Sequence, residues 1–295
     1  MIDVRFILRA LLPTYVDAVY YIVKIIMTNL TRSNFQDHPF HLVSPSPWPL
    51  YTSISLFTLA FSTALTLHGF HNGHYVFYTG LATVILSMSL WFRDIISEGT
   101  FLGNHTLAVQ KGLNIGVILF IVSEALFFLA IFWAFFHSAL TPTIELGAQW
   151  PPMGIEPINP FELHLLNTVI LLSSGATVTY AHHALIKGDR AAALYGSIAT
   201  VLLALIFTLF QGVEYNVSSF TISDGAFGTC FYFGTGFHGL HVIIGTIFLA
   251  VGLWRISTYH LTDNHHLGFE SGILYWHFVD VVWLFLYISI YYWGS

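Results

Sequence analysis

The chain has 295 residues, of which 56% are hydrophobic, 17% aromatic and only 8% charged, with a formal net charge of -6. An average soluble domain carries about 25% charged residues, so this balance excludes a soluble enzyme or scaffold and points to an integral membrane protein. Nine Lys and Arg without a basic cluster speak against a nucleic-acid partner, and a single cysteine, Cys230, excludes an internal disulfide or a thiolate cluster built by this chain alone.

Residues 1–26 come first. Val16 to Ile26 is apolar but short and is interrupted by Asp17 and Lys24, so an interfacial segment is expected rather than a span. Asp3 and Asp17 do not suit the acid-poor composition of a transit peptide, and Met27 offers a second start. Seven candidate crossings follow: Leu50 to Leu67, Tyr75 to Phe92, Leu113 to Phe136, Leu163 to Tyr180, Ala191 to Phe210, Phe227 to Trp254 and Ile273 to Trp293. Each reaches or approaches the roughly 20 residues that a helix needs to cross a bilayer. The runs are continuous rather than alternating, which excludes a barrel. The expected fold is therefore all-α, a polytopic bundle of seven transmembrane helices. The expected domains are an extension, 1–26, a segment with a two-helix unit, 27–98, and a five-helix unit, 99–295.

The links between spans sort by charge. Arg5, Arg9, Lys24 and Arg32 precede the first crossing, Arg93 and Lys111 lie between the second and third, Lys187 and Arg190 between the fourth and fifth, and Arg255 follows the sixth. An odd number of crossings puts all of them on one side. The opposite links, His137 to Glu162 and Gln211 to Ala226, carry Glu145, Glu156, Glu162, Glu214 and Asp224 and no Lys or Arg. The positive-inside rule then places the N-terminus in the cytoplasm-like compartment and the C-terminus opposite.

Ionisable groups within the spans are the candidate functional residues, because each is costly there by at least a few kcal/mol. Glu124 sits near the middle of Leu113 to Phe136 with no other charge in that stretch. Two readings stand: a neutralised acid that hydrogen-bonds a neighbouring helix, or a group that takes part in proton movement. His238 and His241 share one helix face at i and i+3. Without a third ligand they read as polar contacts in a glycine-rich helix seam rather than as a metal site. His277 and Asp280, also at i and i+3, are placed to form a partly buried pair that fixes helix packing. At the basic-side boundary, Arg93, Glu98, His105 and Arg255 are candidates for holding lipid phosphate heads, with Trp91 and Phe101 along the acyl chains. Cys230 reads as a small apolar packing residue.

The chain resembles the cytochrome c oxidase subunit III family. The resemblance rests on His38-Pro-Phe-His-Leu-Val-Ser-Pro-Ser-Pro-Trp-Pro49, Arg93-Asp-Ile-Ile-Ser-Glu-Gly-Thr-Phe101, Ser123-Glu-Ala-Leu-Phe-Phe128 and Trp150-Pro-Pro-Met-Gly154, and continues with Phe237-His-Gly-Leu-His-Val-Ile-Ile-Gly245, Trp276-His-Phe-Val-Asp-Val-Val-Trp283 and Tyr292-Trp-Gly-Ser295. It implies two helices and five helices separated by a lipid-filled cleft, in the mitochondrial inner membrane, with the N-terminus in the matrix and the C-terminus in the intermembrane space. It also implies a noncatalytic accessory subunit of a complex that reduces oxygen to water with electrons from cytochrome c and pumps protons. No catalytic residue, metal or redox centre is then expected here. Haem and copper belong to partner subunits; the implied partners are the catalytic haem-copper subunit I, the other oxidase subunits, structural phospholipids and a respiratory supercomplex. The expected contributions are proton uptake and turnover stability.

By the same resemblance, Glu124 matches the family's membrane-buried acid, and Glu98, His105, His241 and Arg255 match positions near the lipid cleft. Ser97 departs from the arginine of many members, and residues 1–26 have no counterpart in the pattern. A seven-helix receptor or retinal pump fits worse, since the seventh span has no lysine for a Schiff base and a receptor's N-terminus lies outside. A lone proton-coupled transporter lacks the expected repeats and broken helices.

Overall fold

The computed structural model describes residues 36–294, so the interfacial reading of Val16 to Ile26 lies outside the described residues. Among the described residues there is no strand, and seven helices are long and apolar enough to cross a membrane. They are α1 (Trp48–Leu67), α2 (Gly73–Thr100), α3 (Leu107–Leu140), α4 (Leu163–Ile186), α5 (Arg190–Val217), α6 (Gly225–Ser257) and α7 (Leu267–Leu286). A π-helical turn, Tyr287–Trp293, continues α7.

Several helices outrun the apolar windows that announce them. With 34 residues, α3 is about 50 Å long at 1.5 Å per residue, well beyond the roughly 30 Å hydrocarbon layer. An apolar window marks where side chains leave water, whereas the backbone ladder continues until a turn interrupts it. Arg93 to Thr100 therefore complete α2, Lys111 lies within α3, and Gln211 to Val217 complete α5. Glu214, expected in a link, belongs instead to the last turns of α5 and is buried. The links are correspondingly short. Between α4 and α5, Gly188 takes a left-handed φ of +80°, and the Asp189 carboxylate accepts from the Ala192 N–H at 3.1 Å, capping the next helix.

The chain forms two compact units that divide between Val109 and Gln110. In the first, α1 and α2 form a hairpin packed through small residues. A Cβ on Gly80 would lie 3.1 Å from the Leu59 backbone and one on Gly73 3.1 Å from the Thr66 backbone, while Ser55 and Ser62 are buried along α1. Such close backbone approach drives association where lipid removes the usual hydrophobic advantage of helix contact. Trp48 at the start of α1 donates from Nε1 to Asp94 near the end of α2, at 2.5 Å.

In the second unit α7 carries much of the core, with Trp276 and Trp283 fully buried. Each indole finds an acceptor on α4: Trp276 Nε1 donates to Ser174 Oγ at 2.9 Å and Trp283 Nε1 to Thr168 Oγ1 at 3.0 Å. Along the α4–α5 seam the Thr177 and Thr200 hydroxyls meet at 2.8 Å. Beside them a Cβ on Gly196 would stand 2.9 Å from the Ala181 methyl and 3.1 Å from the Thr177 carbonyl oxygen. Gly196→Val should overpack this seam by about 1–3 kcal/mol, read as a lower thermal midpoint of the assembled protein than that of Leu202→Val on the exposed side of the same helix.

Candidate functional site

The candidate site is built on α3 and α6. Glu124 comes from mid-α3, where Ser123 returns its hydroxyl proton to the Phe120 carbonyl at 2.6 Å and leaves the carboxylate as the polar group that turns towards α6. His241 Nε2 lies 2.9 Å from Glu124 Oε2, with the two side chains 9% and 24% exposed. The other imidazole nitrogen, Nδ1, is 2.7 Å from the Phe237 carbonyl, which only accepts. Nδ1 must therefore be the N–H donor. If His241 carried only that proton, a bare Nε2 lone pair would face Glu124, so a second proton is needed between the two atoms. The pair holds it either as imidazolium and carboxylate or as imidazole and carboxylic acid. Phe128 edges onto the imidazole with centroids 5.0 Å apart, Tyr275 stacks at 6.2 Å and Phe278 stands at 6.4 Å, giving the pair an aromatic wall.

His238 shares the face of His241 but not its partner. Its Nε2 donates to the Val279 carbonyl of α7 at 3.2 Å, and its ring packs between Phe207 and Trp283. Among the described residues no group of three His, Cys, Asp or Glu could hold a metal ion. His277 and Asp280 do not form the mutual pair that their spacing suggests; no ion pair links them among the described residues. The Thr179 hydroxyl donates to the Gly175 carbonyl at 2.9 Å, so His277 Nε2 donates to Thr179 Oγ1 at 3.2 Å. Asp280 sits over Gly175, where a Cβ would lie 3.1 Å from its Oδ2. Both side chains therefore face α4 around Gly175, where His277 takes Thr179 as its partner.

The basic-side candidates fall within separate units. In the first, Arg93 pairs with its neighbour Asp94 at 2.8 Å, the same carboxylate that accepts from Trp48. His105 fills the space beside Gly99, its ring 6.4 Å from His41, and the Glu98 carbonyl accepts from Asn104 N–H. Trp91 and Phe101 are exposed. In the second unit Arg255 is half-buried against Gly268. Between α6 and α7, burial holds the His265 imidazole below its ordinary value, and the nearby Arg255 and His266 add to this.

Two features escaped the sequence reading. Arg190 closes the C-terminal end of α6, donating from Nε to the Ile256 carbonyl at 3.1 Å and from Nη2 to the Ser257 carbonyl at 2.6 Å, with its guanidinium 3.7 Å over the Tyr259 ring. A second carboxylate–imidazole pair, Glu214 and His164, lies at 2.9 Å with both side chains 2% exposed. The available signal was Gln211 and Glu214 continuing the helical register of α5 beyond the apolar window that stops at Phe210.

A polytopic helical membrane protein with carboxylate–imidazole pairs set into its bundle is the class that this architecture defines. The model of the family described as cytochrome c oxidase subunit III matches residues 38–295, and the chain belongs to that family. It is similar to cytochrome c oxidase subunit 3 of Podospora anserina, 83% identical over 269 residues that cover 91% of this chain and 100% of the relative. The subunit 3 proteins of Pyricularia grisea and Neurospora crassa are 82% and 81% identical, again over 91% of this chain and 100% of each relative.

The shared proton makes the two members of the Glu124–His241 pair interdependent. His241→Leu should cost about 3–5 kcal/mol by stranding the acid, whereas Glu124→Leu together with His241→Leu should recover most of that loss. Thermal unfolding of the assembled protein for the two single variants and the double variant gives the coupling; additive losses would show that the pair is not a unit.

Proposed function

We propose that the chain serves as an accessory, noncatalytic subunit of cytochrome c oxidase in the mitochondrial inner membrane, with its N-terminus in the matrix and its C-terminus in the intermembrane space. Haem and copper sit in partner subunits, oxygen is reduced there, and the partners of this chain are the catalytic haem-copper subunit, the other oxidase subunits and a respiratory supercomplex. Its own contribution is to sustain proton uptake and to protect the complex during turnover. The observation that carries this reading is the one-proton contact between Glu124 and His241, inside a span yet with a quarter of the acid exposed. A carboxylic acid and an imidazole sharing a proton in an apolar setting exchange it without leaving a net charge in the bilayer, which suits a group that buffers or relays protons. The sorting of Lys and Arg to the helix ends beside one set of links supports the orientation.

Phospholipids are the proposed small-molecule ligands. In the first unit Arg93, Glu98 and His105 would meet head groups, with Trp91 and Phe101 beside the acyl chains. In the second, Arg255 would meet a phosphate, while His241, whose two ring nitrogens are engaged by Phe237 and Glu124, would border the lipid without a polar contact of its own. Arginine offers a forked set of donors that matches phosphate oxygens.

The proton-linked part predicts that Glu124→Gln in the intact complex shortens the number of turnovers before inactivation, or slows proton uptake, by severalfold. Kinetics and lifetime equal to wild type would leave the acid a packing role only. The lipid part predicts that Arg255→Ala lowers the phospholipid retained by the purified complex; an unchanged lipid-to-protein ratio by mass spectrometry would remove Arg255 from that role.

A further inference from the structure

At the end of the bundle where α4 begins and α5 finishes, three elements bring together polar side chains that the Glu124 pair does not involve. Glu214, from the last turns of α5, is 4% exposed. His164, in the first turn of α4, is 1% exposed and points Nδ1 at the Asn159 carbonyl at 3.4 Å, leaving Nε2 towards Glu214 Oε2 at 2.9 Å. Tyr291, from the π-helical turn, donates its hydroxyl to Glu214 Oε1 at 2.6 Å and lays its ring over His164 with centroids 4.2 Å apart. The arrangement resembles that of Glu124 and His241 in having one imidazole nitrogen turned to a main-chain carbonyl and the other 2.9 Å from a carboxylate, but here the second contact lacks hydrogen-bond alignment.

The surroundings of this second pair differ. Asn167, one turn on from His164, is fully buried, and Gln211, one turn before Glu214, is 6% exposed. Neither amide atom of Asn167 has a hydrogen-bond partner, and those of Gln211, though close to the Tyr215 and Tyr291 hydroxyls, make no aligned hydrogen bond to them. The approach of His164 Nε2 to Glu214 Oε2 is off the line of a hydrogen bond, so those atoms also keep directional capacity. Buried amides without partners are rare because each carries the full desolvation penalty of its donors and acceptor, and water is the partner that polar enclosures of this kind recruit. Burial of the carboxylate on three sides, together with four unpartnered amide atoms, makes the enclosure polar enough to hold water where an apolar cavity stays dry.

We infer that His164, Glu214 and Tyr291, with the amides of Asn167 and Gln211, form a second protonatable site that binds ordered water and holds an exchangeable proton. Transfer of a proton from His164 Nε2 to Glu214 Oε2 through the enclosed water turns imidazolium and carboxylate into imidazole and carboxylic acid, with no change of charge. Delivery of one further proton by a hydronium ion leaves imidazolium beside carboxylic acid and returns neutral water. The titratable groups around the pair are Tyr291 from the π-helical turn, Tyr215 from α5, engaged with Thr235 at 2.7 Å, and Tyr232 from α6, engaged with the Phe220 carbonyl; α6 also presents Phe231 and Thr235. No lysine or arginine is among them, so proton exchange at this site is governed by the pair and its water.

The test uses the intact oxidase complex and does not depend on the role proposed for Glu124. Infrared pH-difference spectra in H2O and D2O should show a carboxyl C=O band that Glu214→Gln removes, that Tyr291→Phe shifts by loss of its hydrogen bond, and that Glu124→Gln leaves in place. A density map of the unaltered complex, fine enough to show waters elsewhere, should show ordered water within hydrogen-bond distance of the Asn167 and Gln211 amides. A band set that survives Glu214→Gln unchanged overturns the proton-holding role. A dry enclosure in the map overturns the hydration, and that reading stands even where a variant fails to assemble.

Discussion

Inside a hydrocarbon layer a polar side chain has no bulk water to turn to, so most are answered by another part of the protein. That requirement organises the second unit. The indoles of Trp276 and Trp283 are answered by hydroxyls of α4, His238 by a main-chain carbonyl of α7, and the two buried glutamates by imidazoles. Other serine and threonine hydroxyls fold back onto carbonyls three or four residues earlier, as Ser123, Thr246 and Ser289 do. The helices are held in register by these fixed pairings as much as by shape.

The carboxylate–imidazole pairs follow the same rule and add chemistry to it. An isolated carboxylate in the bundle would be protonated or expelled, and an isolated imidazole would sit neutral. Each pair stands 2.9 Å apart with the far nitrogen of the imidazole turned towards a carbonyl, and in the aligned Glu124–His241 contact a proton must lie between the two atoms, making them one unit. The same contact that helps to hold the fold thereby leaves a protonatable group within the bundle. Glu124 and His241 keep partial access to the outside of their unit, whereas Glu214 and His164 are enclosed by α4, α5 and the π-helical turn.

Much of the architecture was legible before any coordinates. Apolar runs near 20 residues announced the seven helices, and Glu124 stood out because no other charge shares its stretch. Helix ends were less legible, since hydropathy reports side chains and the ladder of backbone hydrogen bonds runs on past them. That difference hid Glu214, which the apolar window left in a link although it completes α5. His277 and Asp280 show the complementary failure. Their i and i+3 spacing made a local pair plausible, but His277 takes Thr179 on α4 as its partner and Asp280 lies against Gly175.

Length, continuity of apolar character and the sorting of basic residues are properties of the chain taken locally, and they determined the all-helical, seven-span design together with the singular position of Glu124. Which imidazole meets which carboxylate depends on how helices distant in sequence lie against one another: 117 residues separate Glu124 from His241, and His238, on the same face as His241, is claimed by α7 instead. Only the tertiary structure decided those pairings, because proximity across a helix seam is set by the packing of small residues and indoles along it, and no periodicity within a single helix encodes the identity of its neighbour.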